Sequence, residues 1–336
     1  MQNTLQLGEN EALELVFDAL QKHQTSTENA KEVADALICA EIDGQSGHGI
    51  SRVPSYIQQL SSGKVDGNAK PAIVGSNGAV IRIDAKNGFA YPALSLAIKE
   101  LTSCSKKYGI AVASISHSHH FGQAGRHVER LAESGLIGLM FGNTPKAIPP
   151  WGGSKALFGT NPIAFSSPRS KASPLVIDLS LSKVARGKVM LANQKNERIP
   201  QGWAIDEQGN PTSDAKKALA GAMLPIGDAK GSALALMIEI LSAALTGSNF
   251  GFEASSFFDS EGDSPGVGQL LIAIDPNFFS GDVFSERVET IVSAILDQPS
   301  TRLPGNKLLE KRKWHEKTKK IALPQELYDV IAKLTK

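Results

Sequence analysis

The chain has 336 residues, 41% apolar and 21% charged, a composition that supports one large buried core or two smaller ones. Its 35 Lys and Arg against 34 Asp and Glu leave a formal net charge of +1, which excludes a global field for nucleic acid or anionic lipid and makes any anion site local. Two cysteines, Cys39 and Cys104, stand far apart and outside any C-x-x-C pair, which argues against a disulfide framework or thiolate zinc site and fits a reducing cytoplasm. The opening MQNTLQLGENEALEL lacks a basic segment followed by an apolar stretch, and the longest apolar run, SALALMIEILSAAL, is broken by Glu239. Neither a targeting segment nor a membrane span is expected.

In chain order, the spacing of Leu13, Phe17 and Leu20 predicts a helix over 10–23, and Thr25 with Glu28 reads as a capping box for a second helix ending near Asp43 and Gly44. GQSGHGISR, over 44–52, is then an interhelical loop. In it Gly47 and Gly49 flank His48, where glycine frees the backbone for positive φ and for close approach by a ligand. Pro54 and the spacing of Val53, Tyr56, Ile57 and Leu60 predict a third helix, with Arg52 near its start. From about residue 78 the period changes. AVIRID, GIAVASIS, LIGLMFG, PIAFSS, LVIDLS and QLLIAID read as strands, while GQAGRHVERLAESG and SALALMIEILSAAL read as helices, so the middle is a layered α/β structure. After Pro276, SERVETIVSAIL and PQELYDVIAKL return to helical spacing. The expected organisation is a helical domain from residues 1–75 with 283–336, and an α/β domain over 76–282.

GHGISR and GVGQLL both fail to complete G-x-G-x-x-G and do not lie between a strand and a helix, which disfavours a Rossmann domain. The P-loop, H-E-x-x-H and G-x-S-x-G patterns are absent. The densest polar cluster is SHSHHFGQAG, where His117, His119 and His120 end a strand just before a helix that starts near Gly122 or Gln123. Strand alternation would send His117 and His119 to one face and His120 to the other. A dinuclear metal site would need Asp and His where Phe121 and Gly122 stand, so no metal is expected. Histidines satisfied by backbone groups remain one reading, and an anion held on the helix N-terminus is the other. Lys230, at the head of the long apolar helix, works against its dipole. Glu239 reads as a paired core carboxylate. Lys311, Arg312, Lys313, Lys317, Lys319 and Lys320 read as a solvated helix face, with no nucleic-acid role.

Taken in order, GHGISRVPSY, SHHFGQAG, PPWGGSKALFGTNPIAF, VIDLSLSKVARGK, LPIGDAKG and RLPGNK resemble the type-2 malate/L-lactate dehydrogenase family. The resemblance spans about residues 44 to 307. It implies a non-Rossmann α/β fold with a largely antiparallel cofactor-binding sheet, a helical part built from both chain ends, and a homodimer. It implies an NAD(P)H-dependent oxidoreductase, with reduction of a small cyclic 2-imino acid, Δ1-pyrroline-2-carboxylate to L-proline, as the first expectation. A 2-hydroxy-acid dehydrogenase acting on malate, lactate or sulfolactate is the alternative.

The same resemblance implies that His48 donates the proton and that Arg52 holds the substrate carboxylate, with Thr160, Arg186 and Gly187 also touching substrate. Chemistry agrees for the first two. Histidine titrates near neutrality, and arginine's planar fork binds a carboxylate through two parallel hydrogen bonds. Cofactor contacts are implied for His120, Phe121, Gly122, Gln123, Ala124, Asp178, Leu179, Ser180, Lys230, Leu303, Pro304, Gly305, Asn306 and Lys307. Gly47, Lys188 and Ala229 depart from residues common in the family, Ser, Asp and His, so the Ser/His/Asp relay of its imine reductases is not matched. Asn306 and Lys307, where the family often carries glutamate after Pro-Gly, favour NADPH over NADH, because a missing carboxylate makes a 2′-phosphate easier to hold.

Overall fold

The computed structural model describes residues 4–170 and 172–336. The chain opens with β1 (Thr4–Gly8), α1 (Glu9–Lys22), α2 (Thr27–Ile42) and α3 (Val53–Ser61). A hairpin follows, β2 (Ala72–Asn77) and β3 (Val80–Asp84), then α4 (Ala90–Tyr108), β4 (Ile110–Ser118), α5 (Ala124–Glu133), β5 (Ile137–Gly142), β6 (Ile163–Ser167) and β7 (Leu175–Leu179). Next come α6 (Arg186–Gln194), β8 (Ala204–Ile205), β9 (Pro211–Thr212), α7 (Ala215–Ala220), β10 (Ala222–Met223), α8 (Ala229–Glu239) and β11 (Val267–Ile274). The chain closes with α9 (Val283–Leu296), α10 (Asn306–Thr318), β12 (Lys320–Pro324) and α11 (Gln325–Leu334).

The main sheet has seven strands in the order β2-β3-β4-β11-β5-β6-β7. Every neighbouring pair is antiparallel except β3 and β4, so the sheet is largely antiparallel, as expected. Its central strands are rich in Ala, Ile, Leu and Val, and α4 and α5 pack on it around Leu94, Leu101, Ile115, Val128 and Leu131. The helical core gathers Val16, Leu20, Leu37, Ile50 and Tyr56 with Leu323 and Ile331 from the other end of the chain. The pairing of β1 with β12, Thr4 opposite Pro324 through Gly8 opposite Lys320, stitches those ends together. Sequence periodicity missed this pair because each strand is five residues long and abuts a stronger helix. A third cluster, including Ile148, Leu181, Val189 and Ile238, lies between the small β8-β9-β10 sheet and its helices.

Local corrections follow from side-chain chemistry. The N-cap of α2 is Ser26, whose hydroxyl accepts the Asn29 N–H at 3.2 Å, and Thr25 only reaches the His23 carbonyl. Arg312 leaves the solvated face of α10 and forks onto two buried carboxylates, Asp43 (2.6 and 3.0 Å) and Glu129 (2.6 and 2.8 Å). That network ties α10 to the end of α2 and to α5. Cys39 and Cys104 are both free. Among the described residues no helix is long and apolar enough to cross a membrane.

Candidate active site

Two 3-10 turns, Ser46–His48 and Ile50–Arg52, replace the open loop between α2 and α3. Glu41, from the last turn of α2, pins both: its carboxylate accepts the Ile50 N–H and the Ser46 hydroxyl, each at 2.8 Å. A Cβ at Gly49 would collide with that carboxylate, so glycine is required there by packing, whereas nothing lies near the corresponding point at Gly47. Gly49 has φ −99°, and neither it nor Gly47 lies in the left-handed region, so the sequence-based expectation of positive φ is corrected. The result is a rigid corner that presents His48 and Arg52.

Arg52 heads α3. Its Nε donates to the Gly47 carbonyl at 2.7 Å, its guanidinium carbon stands 4.5 Å from the Phe258 ring centroid, and its Nη1 is buried with no partner. A buried N–H left unpaired costs free energy unless a ligand satisfies it, and a carboxylate is the matching acceptor. Burial lowers the Arg52 pKa, with the hydroxyls of Tyr56 and Tyr91 acting in the opposite sense.

His48 Nδ1 lies 3.1 Å from His120 Nε2, and the rings are stacked with centroids 5.3 Å apart. The other His120 nitrogen meets the Tyr56 hydroxyl at 2.6 Å, and Tyr56 meets the Tyr91 hydroxyl at 3.1 Å. Burial, then the nearby Arg52 charge, pushes the His48 pKa down to about 4. His120 is lowered well below the ordinary histidine value by burial, Arg52, His48 and His119. Both imidazoles are therefore neutral near pH 7.

The three histidines of SHSHH part company. His117 has φ +48°, which breaks the strand alternation, and it turns outward to pair with Asp84 at 3.0 Å. His119 turns inward, its Nε2 2.6 Å from Gln59 Oε1, and burial, Lys64 and Arg52 push its pKa down to about 3. Sharing a face between His117 and His119 is thus incorrect. Only His120 joins His48, so it meets the proposed proton donor directly, a contact not anticipated from its cofactor-side assignment. Among the described residues no group of three or more His, Cys, Asp or Glu converges as metal ligands.

One side of this site is formed by residues that hydrophobic periodicity does not mark. Phe257 packs against His119 and His120 at 5.3 and 5.5 Å, beside the Phe258 under Arg52. Its carbonyl takes the Gln59 amide at 2.9 Å, while buried Lys64 donates to the carbonyls of Asp259 and Glu261 at 3.2 and 2.7 Å. Tyr56 reads in sequence as an ordinary helix position, and Gln59 and Lys64, the latter just beyond α3, belong to no motif. The available signal was the spacing of Arg52 and Tyr56, one helical turn apart.

Several of the expected cofactor residues lie along β7. Gly125, in the first turn of α5, donates its N–H to the Asp178 carboxylate at 2.7 Å, so the stretch His120, Phe121, Gly122, Gln123 and Ala124 lies beside Asp178, Leu179 and Ser180. Asp178 is partly open to solvent, yet burial of its carboxyl among neighbouring atoms raises its pKa. Gly305, at φ +81°, caps α10, and a Cβ there would stand 3.2 Å from the Val176 carbonyl of β7. Leu303 is buried beneath this cap, while Pro304 and Lys307 are exposed and Asn306 begins the helix. Leu181 then links two further residues: its N–H donates to the Thr160 carbonyl at 2.8 Å, and its carbonyl accepts from Ile226, just before the α8 turn that carries Lys230.

Glu239 is buried, but its partners are not cations. It accepts from the N–H groups of Gly159 and Gly251 and from the amides of Asn143 and Asn161, at 2.9 to 3.2 Å, and so fixes the turn that bears Thr160. Arg186 and Gly187 open α6, and burial alone lowers the Arg186 pKa. Among the described residues no hydrogen bond or ion pair joins Thr160, Arg186 or Gly187 to His48 or Arg52.

A family model described as malate/L-lactate dehydrogenase matches residues 8–332 of the chain. The chain is 49% identical over 319 residues to the (2R)-3-sulfolactate dehydrogenase (NADP(+)) of Chromohalobacter salexigens, covering 95% of each. It is 42% identical over 286 residues to a Δ1-pyrroline-2-carboxylate/Δ1-piperideine-2-carboxylate reductase of Pseudomonas syringae pv. tomato, covering 85% of this chain and 83% of the relative. The crystal structure of the Δ1-piperideine-2-carboxylate reductase from the same organism superposes with TM-score 0.93 at 37% identity, covering 98% of this chain and 99% of that one.

Proposed function

The chain belongs to the malate/L-lactate dehydrogenase family, and from that premise we propose that it is an NADPH-dependent reductase of a small cyclic 2-imino carboxylate, with Δ1-pyrroline-2-carboxylate to L-proline as its reaction. The observation that carries the imine reading is the environment of His48. Its pKa is pushed down to about 4, and its ring partner is another neutral histidine rather than a carboxylate. A ketone must gain a proton as its alkoxide forms, and a neutral imidazole is a poor source of one. A cyclic imine can bind already protonated, so the same His48 need only orient it. Arg52 holds the carboxylate through the fork that carries the unpartnered Nη1.

The residues at the end of β7 fit a dinucleotide. Two helices, α5 and α10, begin beside that strand, and a helix N-terminus presents unpaired N–H groups to phosphate. Gly122 has φ +65° and Gly305 φ +81°, and a Cβ would press on the Tyr91 hydroxyl at the first and on the Val176 carbonyl at the second, so glycine shapes both turns. Asn306 and Lys307 at the head of α10 suit the extra phosphate of NADPH, with Lys230 as a further cation. The bound nicotinamide supplies the hydride. Thr160 and Arg186, the latter a half-buried cation with no ion pair among the described residues, complete the substrate side.

A second reading, 2-hydroxy-acid dehydrogenase, is favoured by the likeness to the sulfolactate enzyme over 95% of the chain. In that reading exposed Lys188 beside Arg186 offers charge for a second anionic group on the substrate. Following nicotinamide absorbance with NADPH and NADH against Δ1-pyrroline-2-carboxylate, pyruvate, oxaloacetate and 3-sulfopyruvate separates the two. Fastest turnover on an oxo acid would overturn the imine reading. As support for a homodimer, Leu234, Leu236, Met237, Ile240 and Leu245 expose an apolar surface on α8 and the turn after it. Light scattering giving a monomer would remove that part of the proposal. The same reading places the enzyme in the cytoplasm.

A further inference from the structure

Behind His48, on the side away from its Nε2, a row of buried side chains runs inward. His48 Nδ1 faces His120 Nε2 at 3.1 Å, His120 Nδ1 faces the Tyr56 hydroxyl at 2.6 Å, and Tyr56 faces the Tyr91 hydroxyl at 3.1 Å. Tyr56 is fully buried and Tyr91 and His120 are nearly so, at 4% and 5% exposure, which leaves water little part in satisfying them. Each gap in the row holds one hydrogen. A neutral imidazole has one N–H and one bare nitrogen, and a hydroxyl has one O–H, so fixing the direction of any one bond fixes all the others.

Only two directions exist. In the first, Tyr91 donates to Tyr56, Tyr56 donates to His120 Nδ1, and His120 Nε2–H donates to His48 Nδ1. His48 then carries its hydrogen on Nε2. In the second, His48 donates from Nδ1 to His120 Nε2, His120 donates from Nδ1 to Tyr56, and Tyr56 donates to Tyr91. A neutral His48 in the second state has a bare Nε2, while a protonated His48 fits the second state and no other. The hydroxyl of Tyr56 is the pivot because it alone can both give a hydrogen to His120 and receive one from it.

We propose that His120, Tyr56 and Tyr91 are positioning residues that set which nitrogen of His48 bears the hydrogen, and that the whole row reverses when His48 takes up a proton. The inference rests on His48 as the residue that faces the reacting atoms, orienting an imine or giving a hydrogen to a ketone. It assigns to Tyr56 and Tyr91 a role that neither position in its helix suggests. In the resting enzyme the row holds the Nε2–H state, which offers a hydrogen to a ketone oxygen or a neutral imine nitrogen; a protonated imine is itself a donor and is met by the second state, whose bare Nε2 accepts from it. This is the part that an orienting carboxylate plays for other catalytic histidines, here done by neutral groups.

The test is a double-mutant cycle in the holoenzyme with NADPH and the substrate that supports the fastest turnover. Tyr56→Phe keeps the ring and its packing but frees His120 Nδ1; kcat should fall about tenfold or more, with KM and NADPH affinity within about threefold. His120→Gln breaks the directional link between Tyr56 and His48, because its amide can pair with His48 either way round, and its own kcat is the baseline of the cycle. In that background Tyr56→Phe should then cost nothing further. Equal losses from Tyr56→Phe in both backgrounds would mark a merely structural role and overturn the proposal. Nitrogen-15 chemical shifts of His48 in the wild type give an independent readout: hydrogen on Nε2 near neutral pH supports the row, and hydrogen on Nδ1 overturns it. An inactive His48→Ala with a fully active Tyr56→Phe would sink the row alone; a fully active His48→Ala would sink the placement of His48 beneath it.

Discussion

Replacing Arg52 with lysine isolates the carboxylate clamp from the charge that surrounds His48. Arg52 is fixed at Nε by the Gly47 carbonyl, 2.7 Å away, and stacks over Phe258 at 4.5 Å, so its terminal nitrogens are aimed before substrate arrives. A lysine ammonium keeps the charge but offers one point contact in place of a fork. Losing one charge-assisted hydrogen bond costs about 1.5–3 kcal/mol, and weakening the cation–π contact costs about 0.5–1 kcal/mol more. At about 1.4 kcal/mol per tenfold, a loss of 2–4 kcal/mol raises KM roughly 30- to 700-fold. Because the positive charge remains near His48, the depression of its pKa persists, and kcat should change by less than about fivefold. Steady-state kinetics at saturating NADPH, with circular dichroism to confirm the fold, measures both quantities. A KM within about threefold of wild type for every accepted substrate would remove Arg52 from the carboxylate site.

Asn306→Glu, at the head of α10, should shift the kcat/KM ratio of NADPH to NADH by about tenfold or more towards NADH, since a carboxylate repels a 2′-phosphate; an unmoved ratio places that phosphate elsewhere. Arg312→Met should destabilise the protein by about 3–5 kcal/mol in urea unfolding, because buried Asp43 loses its counter-ion and buried Glu129 is left with Arg126 alone. A loss under about 1 kcal/mol would show that the network relaxes. His127 is buried with its pKa pushed down to about 4, first by burial, while its Nε2 meets the Phe121 carbonyl at 2.8 Å. Its folded pKa lies below its unfolded value of about 6.5, so the unfolded chain binds the extra proton between those values and stability falls as pH falls. By pH 4.5 this one group should remove on the order of 2–3 kcal/mol relative to pH 7, and His127→Gln, which keeps a donor, should lose that much less. Equal acid sensitivity in the two proteins would contradict the assignment.

The six strands read as AVIRID, GIAVASIS, LIGLMFG, PIAFSS, LVIDLS and QLLIAID all lie in the seven-stranded sheet, because runs of β-branched and aliphatic residues leave few other ways to bury both faces. The edge strand β2 escaped, since Ile73 and Val74 are exposed there and Gly75 interrupts the alternation. The resemblance to the family supplied the role of His48, and its chemistry is readable from the residue type. What surrounds it is not. Tyr56 was counted as a hydrophobic helix position and Tyr91 lies 35 residues further on, so nothing local announced that the two hydroxyls meet behind His120. The histidine cluster misled for a specific reason: period-two alternation assumes extended backbone, and His117 is left-handed. Arg312 was hidden among lysines, whose solvated appearance was correct for its neighbours and wrong for the one residue whose fork could reach two buried carboxylates.

If His48 stands at the reacting carbon as proposed, an imine depends on it less than a ketone does. Measuring kcat of His48→Ala with NADPH, on Δ1-pyrroline-2-carboxylate and on a 2-oxo acid that the wild type accepts, tests both halves at once. The loss on the oxo acid should be about 10²- to 10⁴-fold, with a clearly smaller loss on the imine and NADPH affinity unchanged. Wild-type rates on both substrates across about pH 6 to 9, a range that brackets the ordinary histidine pKa, would contradict it.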